Sequence, residues 1–251
     1  MAKRIIPCLD IQEGRVVVGT NFINLKDAGD PVELAELYEK EGADEIAFLN
    51  ISSSSSGQEA LRDIIRKAGR KISIPIIVGG GIQTLKDMEN MIEAGAKKVS
   101  INTAAVKNPN LIKEGAQKFG SQSIVAAIDV RRVEESWEVY INGGSKGTGM
   151  EVLEWAKRVE DLGAGAILLT SVDRDGTKNG YDNELNRRVS QTVSIPIIAS
   201  GGAGNLTHLL EGFTLGGVEA VLAASIFHYR KYSIKEAKDY LRKKGIPVET
   251  R

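Results

Sequence analysis

Ser194-Ile-Pro-Ile-Ile-Ala-Ser-Gly-Gly-Ala-Gly204 is a short apolar run closed by glycines. That pattern is how a buried strand delivers bare backbone to a ligand. The stretch has an echo: Ser73-Ile-Pro-Ile-Ile-Val-Gly-Gly-Gly81 stands 121 residues earlier (194 minus 73), identical over its first five residues and again glycine-ended. Further pieces repeat at nearly the same offset. Gly42-Ala-Asp-Glu-Ile-Ala-Phe-Leu49 matches Gly163-Ala-Gly-Ala-Ile-Leu-Leu-Thr170 at 121, and Ile5–Leu9 ends in Asp10 as Ile124–Ile128 ends in Asp129, 119 apart.

Around these anchors, apolar runs of strand length alternate with segments of helical spacing. In the first half, the strands Ile5–Leu9, Ile46–Leu49, Ile74–Val78 and Lys98–Ile101 are followed by helices over Val32–Glu41, Glu59–Lys71, Thr84–Ala94 and Pro109–Phe119. Asp30-Pro31 opens the first helix as N-cap and first helical residue, and Gly42 stops it. The second half repeats the order, with helices over Met150–Leu162, after Asp182, from Leu206 and over Ile234–Lys244, and with Ala220–Ala223 as its last strand. Arg131–Gly149 is a longer excursion whose Trp137–Ile141 reads as part of a hairpin. Eight alternating units with a two-fold internal repeat predict an α/β fold: one (β/α)₈ barrel over residues 1–251, made of half-barrels at about 1–120 and 121–251. A doubly wound open sheet is the rival, although it has no need of two equivalent halves.

Composition narrows the function classes. Hydrophobic residues at 42% and charged residues at 26% are ordinary for a chain with a sizeable core. Lys+Arg and Asp+Glu both number 33, so no global field favours nucleic acid or an anionic membrane. No window resembles a membrane span or a secretory leader, and the expected location is the cytoplasm. Cys8 is the single cysteine, which excludes an internal disulfide and a cysteine-rich metal site. Only His208 and His228 could add imidazole ligands or a histidine base, and surface or packing roles are expected of them. Neither a metal nor an organic cofactor is expected.

Barrel sites lie at the C-terminal ends of the strands. There Gly79-Gly-Gly81 with Asn102-Thr103 forms one glycine-rich pocket, and Gly201-Gly202 with Ala223-Ala-Ser225 a second one opposite. Each can hold a phosphate on backbone amides and a helix N-terminus, or can simply be a tight turn. Their doubling favours a ligand with phosphates at both ends. Asp10 and Asp129 stand between the pockets on strands four apart, as general acid and base or as loop caps. Asp173-Arg-Asp175-Gly176-Thr177 adds polar groups to the same mouth.

With these residues assembled, the whole chain resembles the cyclase subunits of imidazole glycerol phosphate synthase, from histidine biosynthesis. The resemblance is carried by Lys3-Arg-Ile-Ile-Pro-Cys-Leu-Asp10, Gly29-Asp-Pro-Val-Glu33, Val78-Gly-Gly-Gly81, Val99-Ser-Ile-Asn-Thr-Ala-Ala105, Phe119-Gly-Ser-Gln122, Leu169-Thr-Ser171, Asp173-Arg-Asp-Gly-Thr177, Ala199-Ser-Gly-Gly-Ala-Gly204 and Leu222-Ala-Ala-Ser225. It implies a barrel that closes an imidazole ring on a bis-phosphate ribulosyl substrate, using ammonia passed through the barrel by a glutaminase partner. Asp10 and Asp129 match the catalytic aspartates. Gly81, Asn102, Thr103, Asp175, Gly176, Gly202, Ala223, Ala224 and Ser225 match the substrate and phosphate sites, and Arg4, Glu45 and Lys98 match the charged ammonia gate. The sister isomerase of the pathway shares the half-barrels and paired aspartates and is the lesser resemblance. Three positions depart from the family: Val18 replaces a lysine of the first loop, Asn50 an aspartate after strand 2, and Ala166 the fourth gate residue. Two gate cations then face one carboxylate, which is expected to loosen the gate, and activity weakened or redirected toward other chemistry is expected.

Overall fold

The computed structural model describes residues 2–20, 23–52 and 55–249. In chain order the elements are β1 (Arg4–Gln12), β2 (Arg15–Thr20), β3 (Ile23–Gly29), α1 (Pro31–Lys40), β4 (Ile46–Asn50), α2 (Ser55–Ala68), β5 (Ile76–Gly79), α3 (Leu85–Ala94), β6 (Lys98–Ile101), α4 (Thr103–Lys107) and α5 (Asn110–Phe119). They continue with β7 (Ile124–Val133), β8 (Ser136–Ile141), β9 (Lys146–Glu151), α6 (Val152–Asp161), β10 (Ala166–Ser171), α7 (Asn183–Ser190), β11 (Ile197–Ser200), α8 (Leu206–Thr214), β12 (Ala220–Ala223), α9 (Ser225–His228) and α10 (Ile234–Lys243).

Among the described residues, β1, β4, β5, β6, β7, β10, β11 and β12 pair in parallel, and β12 returns to β1. The sheet therefore closes into an eight-stranded barrel wrapped by helices, as the alternation predicts. Alternate residues divide the core. Ile6, Cys8, Ala47, Ile77, Val125, Leu168, Ile198 and Leu222 fill the lumen, while Ile5, Leu9, Phe48, Val78, Ile128, Ile167 and Val221 pack under the helices.

The duplication persists in the contacts. Proline cannot donate to a ladder, so Pro75 and Pro196 stand just before β5 and β11 and offer only their carbonyls, to Ile46 N–H at 3.0 Å and Ile167 N–H at 2.9 Å. One carboxylate oxygen of Glu39 accepts from Ser73 N–H, Ser73 Oγ and Ile74 N–H; the corresponding oxygen of Glu160 accepts from Ser194 N–H, Ser194 Oγ and Ile195 N–H. The serine that opens each repeat thus fastens the incoming strand to the preceding helix.

Several boundaries differ from the sequence expectation. β1 runs on through Asp10 into a hairpin with β2, turning at Glu13 and Gly14, both with positive φ. The second half has the same device in β7, β8 and β9, of which the sequence pattern marks the first part of β7 and the middle strand but not the extension of β7 past Asp129 or β9. Short helices α4 and α9, absent from the sequence reading, follow β6 and β12. α2 starts at Ser55, so part of the serine run is helical, while Ser53 and Ser54 lie outside the described residues. Among the described residues no helix is long and apolar enough to cross a membrane.

A buried ion pair fastens the helical layer to the barrel near its N-terminal end. Asp44 accepts from Ile5 N–H at 2.8 Å and from Lys238 Nζ at 2.6 Å, with both side chains about 95% buried. This pair ties the last helix to the first strand.

Candidate active site

Asp10 and Asp129 stand where a barrel strand passes into its hairpin, opposite Val17 of β2 and Tyr140 of β8. Parallel register sets them at the C-terminal end, inward-facing, two residues beyond the lumen side chains Cys8 and Ala127. Both carboxyls are pushed up, Asp10 to about 7 and Asp129 to about 6, and burial is the main cause in each. Asp175, in the loop after β10, adds a repulsive charge to both, and burial raises its own carboxyl as well. Asp10 and Asp129 are thereby raised toward neutrality, where proton transfer in either direction is accessible, and Asp175, itself raised by burial, is coupled to both.

Their hydrogen bonds set them apart. Asp129 Oδ2 accepts from Asn102 Nδ2 at 2.8 Å, which favours its charged form. Among the described residues, Asp10 Oδ1 accepts from the Cys8 thiol, a weak donor, at 3.5 Å. The Asn102 amide thus lowers the carboxyl of Asp129 against the effect of burial, while Asp10 has a thiol in that place. Among the described residues no cation is a cause of the shift of either group. Val18, where the resemblance implies lysine, is buried in β2.

Where the sequence suggests phosphate pockets, after β6 and β12, the structure places two short helix starts. Asn102 precedes α4 with φ −119° and ψ −86°, and Ala224 precedes α9 with φ −119° and ψ −76°; neither supplies a side-chain cap. Most of the long helices are capped by their own side chains, namely Asp30, Thr84, Glu151, Asp182, Asn205 and Ser233. The starts of α4 and α9 leave amide donors at Thr103 and Ser225 that no capping side chain takes. Glycine is required beside each. Gly81 has φ +72° with Gln58 Nε2 2.0 Å from where a Cβ would lie, and Gly202 has φ +103° with Gly180 O at 2.2 Å.

The expected site residues also contact one another and their own loops. The Asn102 side chain donates to Asp129. Thr103 Oγ1 accepts from Asn142 N–H at 2.9 Å, tying the β8–β9 loop over the first pocket. Gly176 N–H bonds the carboxylate of Asp175. Ala223 is buried at the end of β12 and packs outward under the helices, whereas Ala224 borders the lumen cluster. Asn50 points away from the mouth: it is buried between Gly57 and the Gly80 backbone, and its Oδ1 accepts from Ser52 N–H. The aspartate implied there by the resemblance would lie outside the lumen as well.

At the other end of the barrel Glu45 bridges Arg4 on one oxygen and Lys98 on the other, the latter at 2.6 Å. Ala166 lines the lumen nearby. The charge imbalance expected of this ring is softened for Arg4, since Asp44 and Glu219 also act on it. It remains for Lys98, whose ammonium is lowered to about 8 by burial and by Arg4. Sequence reasoning assigned His228 a packing role. The structure buries it in a chain of hydrogen bonds behind Asp10, for which only the Phe-His pair after the last strand could have been a signal.

Among the described residues, no cluster of three or more His, Cys, Asp or Glu could hold a metal ion. A family model described as Histidine biosynthesis protein matches residues 4–233 of the chain.

Proposed function

The chain belongs to this histidine biosynthesis family, whose enzymes are isomerases or cyclases, and from that premise we propose that it is the ammonia-using cyclase. The substrate is a ribulosyl aminoimidazole carboxamide with a phosphate at each end, and the products are imidazole glycerol phosphate and aminoimidazole carboxamide ribotide. The observation that carries the reading is the pair of uncapped helix starts, at Thr103 and Ser225, on opposite sides of a mouth that holds Asp10 and Asp129 between them. Two anchored phosphates would stretch the substrate across both carboxyls. Asp10, the weaker acid, would donate a proton to the departing group while Asp129, held charged by Asn102, takes one from the attacking amine.

The choice of cyclase over isomerase rests on the sequence resemblance together with the opposite barrel end. The Arg4–Glu45–Lys98 ring there is a polar entrance to an apolar lumen in which Ala47, Ala166 and Ala220 stand among larger residues such as Ile6, Ile77 and Leu222. A glutaminase subunit docked on that end would supply the ammonia. In its absence ammonium salts should support turnover, and Lys98, with its lowered ammonium, could pass a proton at the entrance. The test is product analysis: the ribulosyl intermediate with ammonium chloride should yield both products. Conversion of the earlier, ring-closed pathway intermediate without ammonia would identify the isomerase instead. Binding of a bis-phosphate ligand with neither turnover would leave a barrel that keeps the pockets without the chemistry.

A further inference from the structure

A chain of hydrogen bonds runs from the helical layer to Asp10. Tyr38 of α1, fully buried, lies 2.6 Å from His228 Nδ1 through its hydroxyl. His228 Nε2 lies 2.7 Å from the Cys8 carbonyl oxygen. A carbonyl can only accept, so Nε2 carries a proton. Burial lowers the imidazolium to about 4, so the ring is neutral near pH 7 and Nδ1 accepts from the phenol. Cys8 then turns inward, and its thiol donates to Asp10 Oδ1 at 3.5 Å.

The place of the imidazole in the sheet explains why it is needed. Arg4 N–H bonds the Glu219 carbonyl, so even-numbered residues of β1 address the β12 side. The β1–β12 register ends at Pro7 opposite Ala223, where β12 stops and the chain bends into α9. The carbonyl of Cys8 is the next one due a partner on that side, and His228, in the last turn of α9, supplies it. The same short helix begins at Ser225, the second phosphate pocket. One side chain therefore joins the floor of that pocket to the backbone two residues before Asp10.

We propose that His228 is a positioning residue: oriented by Tyr38, it anchors the Cys8 carbonyl in place of the missing sheet partner and so fixes the Cys8 thiol and the Asp10 carboxyl against the second pocket. As regards catalysis, this rests on the cyclase reading; as regards the geometry of Asp10, it does not.

The experiment separates the two. The Asp10 carboxyl is followed by carbon-13 NMR titration of the full-length protein, its signal assigned by loss in Asp10→Asn, alongside ammonium-dependent turnover. His228→Phe keeps an aromatic ring and loses the N–H. Its Asp10 midpoint should fall from near 7 by about one unit as the strand end loosens and water enters, with kcat down by about tenfold and KM within about twofold. His228→Gln, whose amide can reach the same carbonyl, should restore most of both. Cys8→Ala keeps the anchor and removes only the thiol donor, so its midpoint should move the other way, upward. If His228→Phe does not fold, Tyr38→Phe, which removes only the hydroxyl that orients the imidazole, decides the matter: its midpoint should fall in the same direction by less, and an unchanged midpoint overturns the proposal. An unchanged midpoint in His228→Phe, a Gln variant no better than Phe, or a downward shift in Cys8→Ala overturns the proposal. Lack of wild-type turnover with intact titration effects would instead overturn the cyclase reading and leave the positioning role standing.

Discussion

Lys238→Met tests how the helical layer is fastened to the barrel. The ammonium lies 2.6 Å from Asp44 Oδ1, and the side chains are 4% and 6% exposed. Asp44 also accepts from Ile5 N–H, at the start of the strand that carries Arg4 and Asp10. Methionine fills a similar volume, so the loss is chiefly of charge. It leaves a carboxylate buried with one backbone donor and with Arg4 as a more distant cation. Removing one partner of a buried pair costs about 3–5 kcal/mol, because the remaining charge is desolvated without compensation. For a chain of this size that corresponds to a fall in Tm of about 6–20 °C. Asp44→Asn in the same background removes the stranded charge while the amide oxygen can still accept from Ile5 N–H. The double variant should therefore recover about 2 kcal/mol or more of the loss. Urea denaturation of wild type, the two single variants and the double variant gives the coupling from midpoints at constant m. A single-variant cost under about 1 kcal/mol, or strictly additive effects, would refute the reasoning.

Three further outcomes follow from the site. The raised carboxyls of Asp10 and Asp129 bind protons more tightly folded than unfolded, so their contribution to stability is fullest below the ordinary carboxylate range and is lost as pH rises through about 6 and 7, while lowered carboxyls such as Glu89 contribute in the opposite sense; the stability of Asp10→Asn relative to wild type should therefore rise with pH across that window in a series of denaturation curves, and a pH-independent difference would refute the burial argument. Gly202→Ala would set a Cβ 2.2 Å from Gly180 O at φ +103° and should cost about 1–3 kcal/mol while weakening bis-phosphate binding in calorimetry by at least about tenfold, and normal affinity would dissociate the pocket from phosphate. Val18→Lys should raise ammonium-dependent kcat by about tenfold or more if the new ammonium reaches the uncompensated carboxyls, and an unchanged kcat would place the limiting step elsewhere.

The fold was legible because the chain states it twice. A repeated Ser-Ile-Pro-Ile-Ile, each copy beginning just before a strand, is enough to pair the two half-barrels, and the structure extends that repeat to Glu39 and Glu160. The glycines and aspartates were legible because each closes an apolar run of strand length. The hairpin after β1 was not, because Arg15-Val-Val-Val-Gly lacks the polar alternation of a surface strand: its valines are buried. Helices α4 and α9 escaped because they are shorter than a pattern of period 3.6 can reveal. The functions of Asn102 and His228 depend on contacts 27 and 220 residues away, to Asp129 and to Cys8, which no local spacing encodes.

The central claim is that Asp10 and Asp129 act as acid and base on a substrate held at both ends. Steady-state turnover of the ribulosyl bis-phosphate with ammonium chloride, measured for wild type and Asp129→Asn, tests it most directly. Wild type should form imidazole glycerol phosphate and aminoimidazole carboxamide ribotide in equal amounts, and Asp129→Asn, with its Asn102 contact replaceable by an amide, should bind the substrate but lose turnover by about a thousandfold or more. Full activity in that variant would contradict the account.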